Sequence, residues 1–96
     1  MESIQQKYKE QCATPSDINE HLPTLYKYAS ECESIVELGV RGCISSWAFL
    51  HGLLHNGSNR KSLLMNDIEP CNVDVLLEMV KQKYQMHYSV CYLIVL

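Results

Sequence analysis

The apolar positions divide the chain into alternating helix-like and strand-like stretches. Ile18, Leu22, Leu25 and Ala29 recur at spacings of four, three and four, which is one face of a helix. Pro23 lies inside that stripe, so the pattern predicts a turn over residues 16–21 and then a helix with Pro23 near its first position. Ser16, following Thr14-Pro15, is placed to act as N-cap. Residues 34–40 are short, apolar and bounded by turn residues, which predicts a buried strand. Ser45 or Ser46 then caps a helix that draws its apolar content from Trp47, Phe49, Leu50, Leu53 and Leu54, runs to His55, and is stopped by Asn56-Gly57-Ser58-Asn59. Residues 61–65 form the second predicted strand. Pro70 and Asn72 open another helix, with Val73, Leu76, Leu77 and Val80 at helical spacing. Residues 88–96 are apolar almost without interruption and predict a third strand, buried on both faces. Ahead of all this, residues 1–14 are polar apart from Ile4 and Tyr8, and predict a short helix or a loose arm.

The resulting order is a helical segment over residues 1–33, then strand-helix-strand-helix-strand over residues 34–96. That alternation predicts an α/β domain with a parallel sheet and right-handed crossovers. Ninety-six residues make one small domain with a modest core. There is no internal repeat, linker or low-complexity tract.

Chemistry concentrates at the ends of the first two strands. The first ends in Glu37-Leu38-Gly39-Val40-Arg41-Gly42, the second in Asn66-Asp67-Ile68-Glu69-Pro70. Glycines at such a tip let a ligand approach the backbone, and acids accept hydrogen bonds from ribose hydroxyls. A dinucleotide fingerprint would read G-x-G-x-x-G. Here Arg41 replaces the middle glycine and the third is absent, which disfavours a dinucleotide. An acid two residues before the glycine, E-x-G, suits a ligand carrying positive charge.

These residues resemble the first motif of the class I S-adenosylmethionine-dependent methyltransferases: Glu37-Leu38-Gly39 matches its acid-x-glycine, and Gly42 with Ser45-Ser46 its glycine and hydroxyl turn. The acid at the end of that family's second strand falls on Asp67. Residues 16–23 are more loosely similar to the helical segment before the first strand. The resemblance implies a three-layer Rossmann-like parallel sheet and S-adenosylmethionine as cofactor. It implies that Glu37 holds the methionine end, and that Gly39 and the adjacent backbone of Val40, Arg41 and Gly42 lie against the cofactor. Asp67 takes the ribose hydroxyls with Glu69 as runner-up, and Ile68 packs on the adenine. Two departures stand out. Arg41 occupies a turn position where glycine is more common, and the sequence stops after the third predicted strand, where the family's substrate half would begin. The expectation is a truncated, split or partner-completed domain whose first strand forms an apolar sheet edge, open to a second copy or a completing chain. Two alternatives are a non-catalytic remnant or interaction module that pairs through that edge, and a different α/β nucleotide binder. The methyl acceptor is not legible.

Composition narrows the setting. A net charge of −3 argues against a general nucleic-acid or anionic-membrane surface. Five scattered cysteines without a C-x-x-C pair read as reduced thiols, and no apolar run approaches the ~20 residues that span a bilayer, so a soluble cytoplasmic protein is expected. His51 and His55 share i, i+4 spacing, but without a third ligand nearby they read as packed or solvated side chains, not as a metal site. Cys43 reads as a small buried residue, not a nucleophile.

Overall fold

The computed structural model describes residues 3–58, 60–69, 71–80, 84–88 and 91–95. Its elements are α1 (Ile4–Ala13), a 3-10 turn (Asn19–His21), α2 (Leu22–Ala29), β1 (Ser34–Leu38), α3 (Ile44–His55), β2 (Ser62–Asn66), α4 (Asp74–Val80), β3 (Tyr84–Tyr88) and β4 (Cys91–Val95). The N-terminal arm is a helix because Ser3 and Gln6 form a reciprocal capping box at its start. Pro23 stands in the first turn of α2, where its missing N–H costs nothing. Ser16 does not cap a helix. Its hydroxyl accepts from the Ile18 N–H at 3.3 Å and its N–H donates to Asn19 Oδ1 at 3.1 Å, which builds the turn that precedes α2.

The sheet has four strands in the order β1-β2-β4-β3. β1 and β2 are parallel in the register Ile35 to Leu63 and Glu37 to Met65. β4 runs antiparallel to both β2 and β3. Two antiparallel steps leave β3 parallel to β1 and β2, so the expected strand-helix-strand-helix-strand unit is present with Tyr84–Tyr88 as its third strand. The segment over residues 88–96, expected to be that third parallel strand, instead contributes β4, which turns back and inserts between β2 and β3. The sheet is therefore mixed, not all parallel. Composition explains the exchange. Cys-Tyr-Leu-Ile-Val is the more apolar segment and takes the inner position, whereas Tyr-Gln-Met-His-Tyr takes the edge. Pro70, expected with Asn72 to open the helix after β2, and Leu96 lie outside the described residues.

One face of the sheet presents Leu63, Met65, Tyr92 and Ile94, all buried. They form a single cluster with Trp47, Leu50 and Leu53 of α3, with Leu76 and Val80 of α4, and with Val40, Cys43 and Val73. The opposite face carries Val36 and Leu38, which are 57% and 77% exposed. The core cluster contains no residue of that face, so among the described residues the helices cover one face of the sheet, and the three-layer sandwich expected from the resemblance is not confirmed. Strand order advances in one direction from β1, and crossovers of one hand then fall on one side. β1 is an edge of the sheet, as expected.

α1 and α2 pack chiefly on α3. Their contact with it centres on His51, whose ring stacks on Tyr26 at 4.5 Å, meets Tyr8 at 4.8 Å and takes the edge of His55 at 4.6 Å. Burial, then His55 and Lys9, hold the His51 pKa below the ordinary 6.5. The folded chain thus resists protonation here while the unfolded chain does not. The stability linked to His51 is complete above pH 6.5 and is lost as pH falls toward the lowered pKa. His51→Phe keeps the ring packing, and thermal melts between about pH 7 and pH 5 are expected to be flatter for this variant than for the parent.

Candidate functional site

β1 delivers the chain to the site and a strained turn reverses it into α3. Gly39, at φ +88°, turns the chain, and its N–H donates to the Asn66 carbonyl at 2.8 Å, which ties the first residue after β1 to the last residue of β2. Arg41 (φ 50°) and Cys43 (φ 66°) also adopt the left-handed conformation, which costs a non-glycine residue energy and is held only by surrounding contacts. One such contact is the Cys43 N–H to the Val40 carbonyl at 3.0 Å.

The larger restraint comes from β2. Asp67 Oδ2 accepts the N–H of Val40 at 2.8 Å and that of Arg41 at 3.0 Å, while Oδ1 accepts the Glu69 N–H at 3.1 Å. Those backbone donors, Arg41 first, then Glu69 and Val40, lower the Asp67 pKa to about 2, so the group is ionised throughout the neutral range. The two acid-bearing tips singled out in the sequence are thus tied to each other through one carboxylate.

Glu37 points the other way, into the protein. It is 4% exposed and accepts hydrogen bonds from the hydroxyls of Ser45 and Ser46, the latter at 2.6 Å. Those serines sit in the first turn of α3 and do not cap it; the N-cap is Cys43, with no side-chain cap bond. Alternation along β1 turns Glu37 inward, and the ordinary cap residues one turn away become its ligands. Burial raises the Glu37 pKa above 4.5 against the opposing pull of the two serines. A carboxyl group therefore occupies the N-terminal end of α3.

Two clefts flank the turn. One, of about 600 Å³, is bounded by Asp17, Leu25, Glu37, Arg41, Ser45 and Phe49 among others. The other, of about 630 Å³, lies over Leu38, Gly39, Arg41, Asn66, Asp67, Ile68 and Glu69. Both are of the size that takes a small organic ligand. Gly39 and Arg41 line both clefts, Val40 and Gly42 the first, and Asp67, Ile68 and Glu69 the second. All the expected cofactor-contacting residues thus gather at one end of the sheet. Ile68 is 95% exposed, an apolar surface open to the second cleft.

No family model, curated protein or solved structure was found to match the chain. The site's reading rests on its own geometry.

Arg41, the residue out of place in the turn motif, directs its guanidinium to Asp17 at 3.4 Å. Asp17 belongs to the site only in three dimensions, because it is 24 residues away in sequence and reads there as an ordinary turn acid. The serine pair had a sequence signal, hydroxyls eight and nine residues after the acid, but nothing in one dimension joins them to Glu37. Cys43 is buried, and burial first, then Glu37 and Cys71, push its thiol up to about 12, so it stays protonated and serves packing. His51 and His55 pack ring to ring, and no group of three metal-ligating side chains occurs among the described residues.

Proposed function

We propose that the chain binds S-adenosylmethionine across the tips of β1 and β2, as a Rossmann-like methyltransferase domain does. The observation that carries this reading is Glu37 at the N-terminal end of α3. In nucleotide-binding α/β proteins that end holds the pyrophosphate. A buried carboxyl there, once ionised, repels an anion and favours a cation, and S-adenosylmethionine carries a sulfonium. The rest of the donor set agrees with an adenosine ligand. Asp67 Oδ1 and the exposed Glu69 offer acceptors to the ribose hydroxyls, and Ile68 an apolar surface to the base. When bound, S-adenosylmethionine supplies an electrophilic methyl group. The chain's part is positional: Asp67 fixes the turn and the sugar together, and Glu37 sets the charge under the methionine end. Free thiols at Cys12, Cys32, Cys43 and Cys71 support a cytoplasmic setting, and among the described residues no helix is long and apolar enough to cross a membrane.

Calorimetric titration tests the reading. S-adenosylhomocysteine is expected to bind and a nicotinamide dinucleotide not to, and Asp67→Ala is expected to weaken the former about tenfold. A folded chain that binds neither, or prefers the dinucleotide, sinks the proposal. The exposed Val36 and Leu38 on edge strand β1 favour a second reading, an interaction module that pairs through that strand with another copy or a partner chain. That reading fails if the chain sediments as a monomer and its amides at residues 35–38 exchange slowly.

A further inference from the structure

We infer that the Asp17–Arg41 pair is a clamp for a zwitterionic α-amino acid group, in which each side chain exchanges its present partner for the opposite charge of the ligand. This rests on the reading that the strand tips bind an adenosine-containing ligand, and it specifies how the far end of that ligand is held.

Four observations lead to it. Asp17 and Arg41 both line the cleft that also holds Glu37 and Ser45, and Arg41 borders the neighbouring cleft over Asp67 and Glu69 as well, so the pair stands where the two clefts meet. A ligand whose sugar sits at Asp67 and that follows the turn past Gly39 must bring its other end to this pair. The pair itself is loose: one contact of 3.4 Å, between side chains that are 84% and 68% exposed. An exposed ion pair of this kind contributes little and opens at little cost. The guanidinium keeps most of its donor fork for a bidentate carboxylate, which one 3.4 Å contact does not use. Finally, Arg41 stands at φ 50°, a conformation that glycine would hold without strain, so the turn carries the guanidinium at an energetic cost.

The charge arithmetic explains why both residues belong to the clamp. A lone carboxylate arriving at Arg41 would meet Asp17 and be repelled by it. A lone ammonium arriving at Asp17 would meet Arg41. An α-amino acid carries both charges on one carbon, so inserting it between the two side chains replaces one weak pair with two and leaves no like charges adjacent. The pair in the unliganded chain then keeps the cleft neutral until that group arrives.

The experiment compares two nucleosides that share the adenosine and differ in the amino acid group. S-adenosylhomocysteine carries it; 5′-methylthioadenosine does not. Each is titrated into the full chain and into Asp17→Asn, Arg41→Met and the double variant. Each single change is expected to weaken S-adenosylhomocysteine about threefold more than it weakens methylthioadenosine, and the double change about tenfold more. Retained methylthioadenosine binding also certifies that each variant is folded at the site. If Asp17→Asn tightens S-adenosylhomocysteine, Asp17 is a competitor and the clamp is overturned. An unmoved ratio between the two nucleosides in all variants overturns it as well, while leaving the adenosine site standing. Failure of both nucleosides to bind the parent chain overturns the clamp and the proposed function together.

Discussion

Glu37→Gln is expected to stabilise the fold slightly at neutral pH while reversing the ligand preference of the site. The raised pKa means that the ionised group is less favourable in the folded chain than in the unfolded one, because burial outweighs the serine hydrogen bonds. A group of that sign contributes stability that is complete below pH 4.5 and is lost as pH rises through its folded value. Glutamine carries no charge to desolvate. Its amide oxygen can accept from one serine, and its NH2 can donate to the other once that hydroxyl rotates. Thermal melts of Glu37→Gln are therefore expected to be flat where the parent declines with pH, and to lie above the parent at pH 7. Binding should move in the other direction. With the carboxylate present, the cationic sulfonium of S-adenosylmethionine is favoured over the neutral thioether of S-adenosylhomocysteine. The parent's affinity for the cation is expected to rise with pH as Glu37 ionises, whereas that of Glu37→Gln stays constant. Loss of the charge is expected to cost S-adenosylmethionine about thirtyfold and the thioether little, since a desolvated charge pair is worth more than an exposed one. Equal losses for the two ligands would show that Glu37 only shapes the turn. A destabilised Gln variant would show that the carboxylate is held for the fold.

Gly52→Ala is expected to cost about 3 kcal/mol, a large share of the ~5–15 kcal/mol that holds a small domain. Gly52 lies where α3 crosses α2. A β-carbon there would stand 2.7 Å from the Tyr26 carbonyl oxygen and 2.9 Å from the Ser30 nitrogen, besides meeting the Ala29 methyl. Two of these are backbone atoms and cannot swing away, so the helices must separate. Alanine's higher helix propensity returns only about 1 kcal/mol. Urea denaturation measures the difference, with Gly57→Ala as control, because a β-carbon at Gly57 meets nothing within 4 Å. Separation of α2 from α3 would also disturb the cleft between them, so weaker S-adenosylhomocysteine binding should accompany the lost stability. A Gly52→Ala midpoint equal to that of the control would overturn the close approach of α2 and α3 at Gly52.

The periodic signals proved dependable where one element settles its own character. The stripe from Ile18 to Ala29, the strand before Gly39, the helix stopped at Asn56 and the second strand all lie within a few residues of where the apolar pattern put them. The two acidic tips were legible for the same reason, since an apolar run followed by an acid and a glycine is a local statement. Strand direction was not. The apolar run near the C-terminal end satisfies a central position in either orientation, and what decided it was competition with Tyr84–Tyr88 for the place beside β2. Layering was equally hidden, because Val36 and Leu38 read as buried in a pattern that cannot say whether a second helical layer exists. The sequence by itself determined which segments become helix or strand and which residues stand at the strand tips, because local backbone preference and burial periodicity suffice for that. Only the tertiary structure decided that Asp67 grips the Val40–Arg41 turn, that Glu37 turns inward to two serines, and that Asp17 faces Arg41, because each contact closes a loop of eight to twenty-seven residues whose path no local pattern specifies.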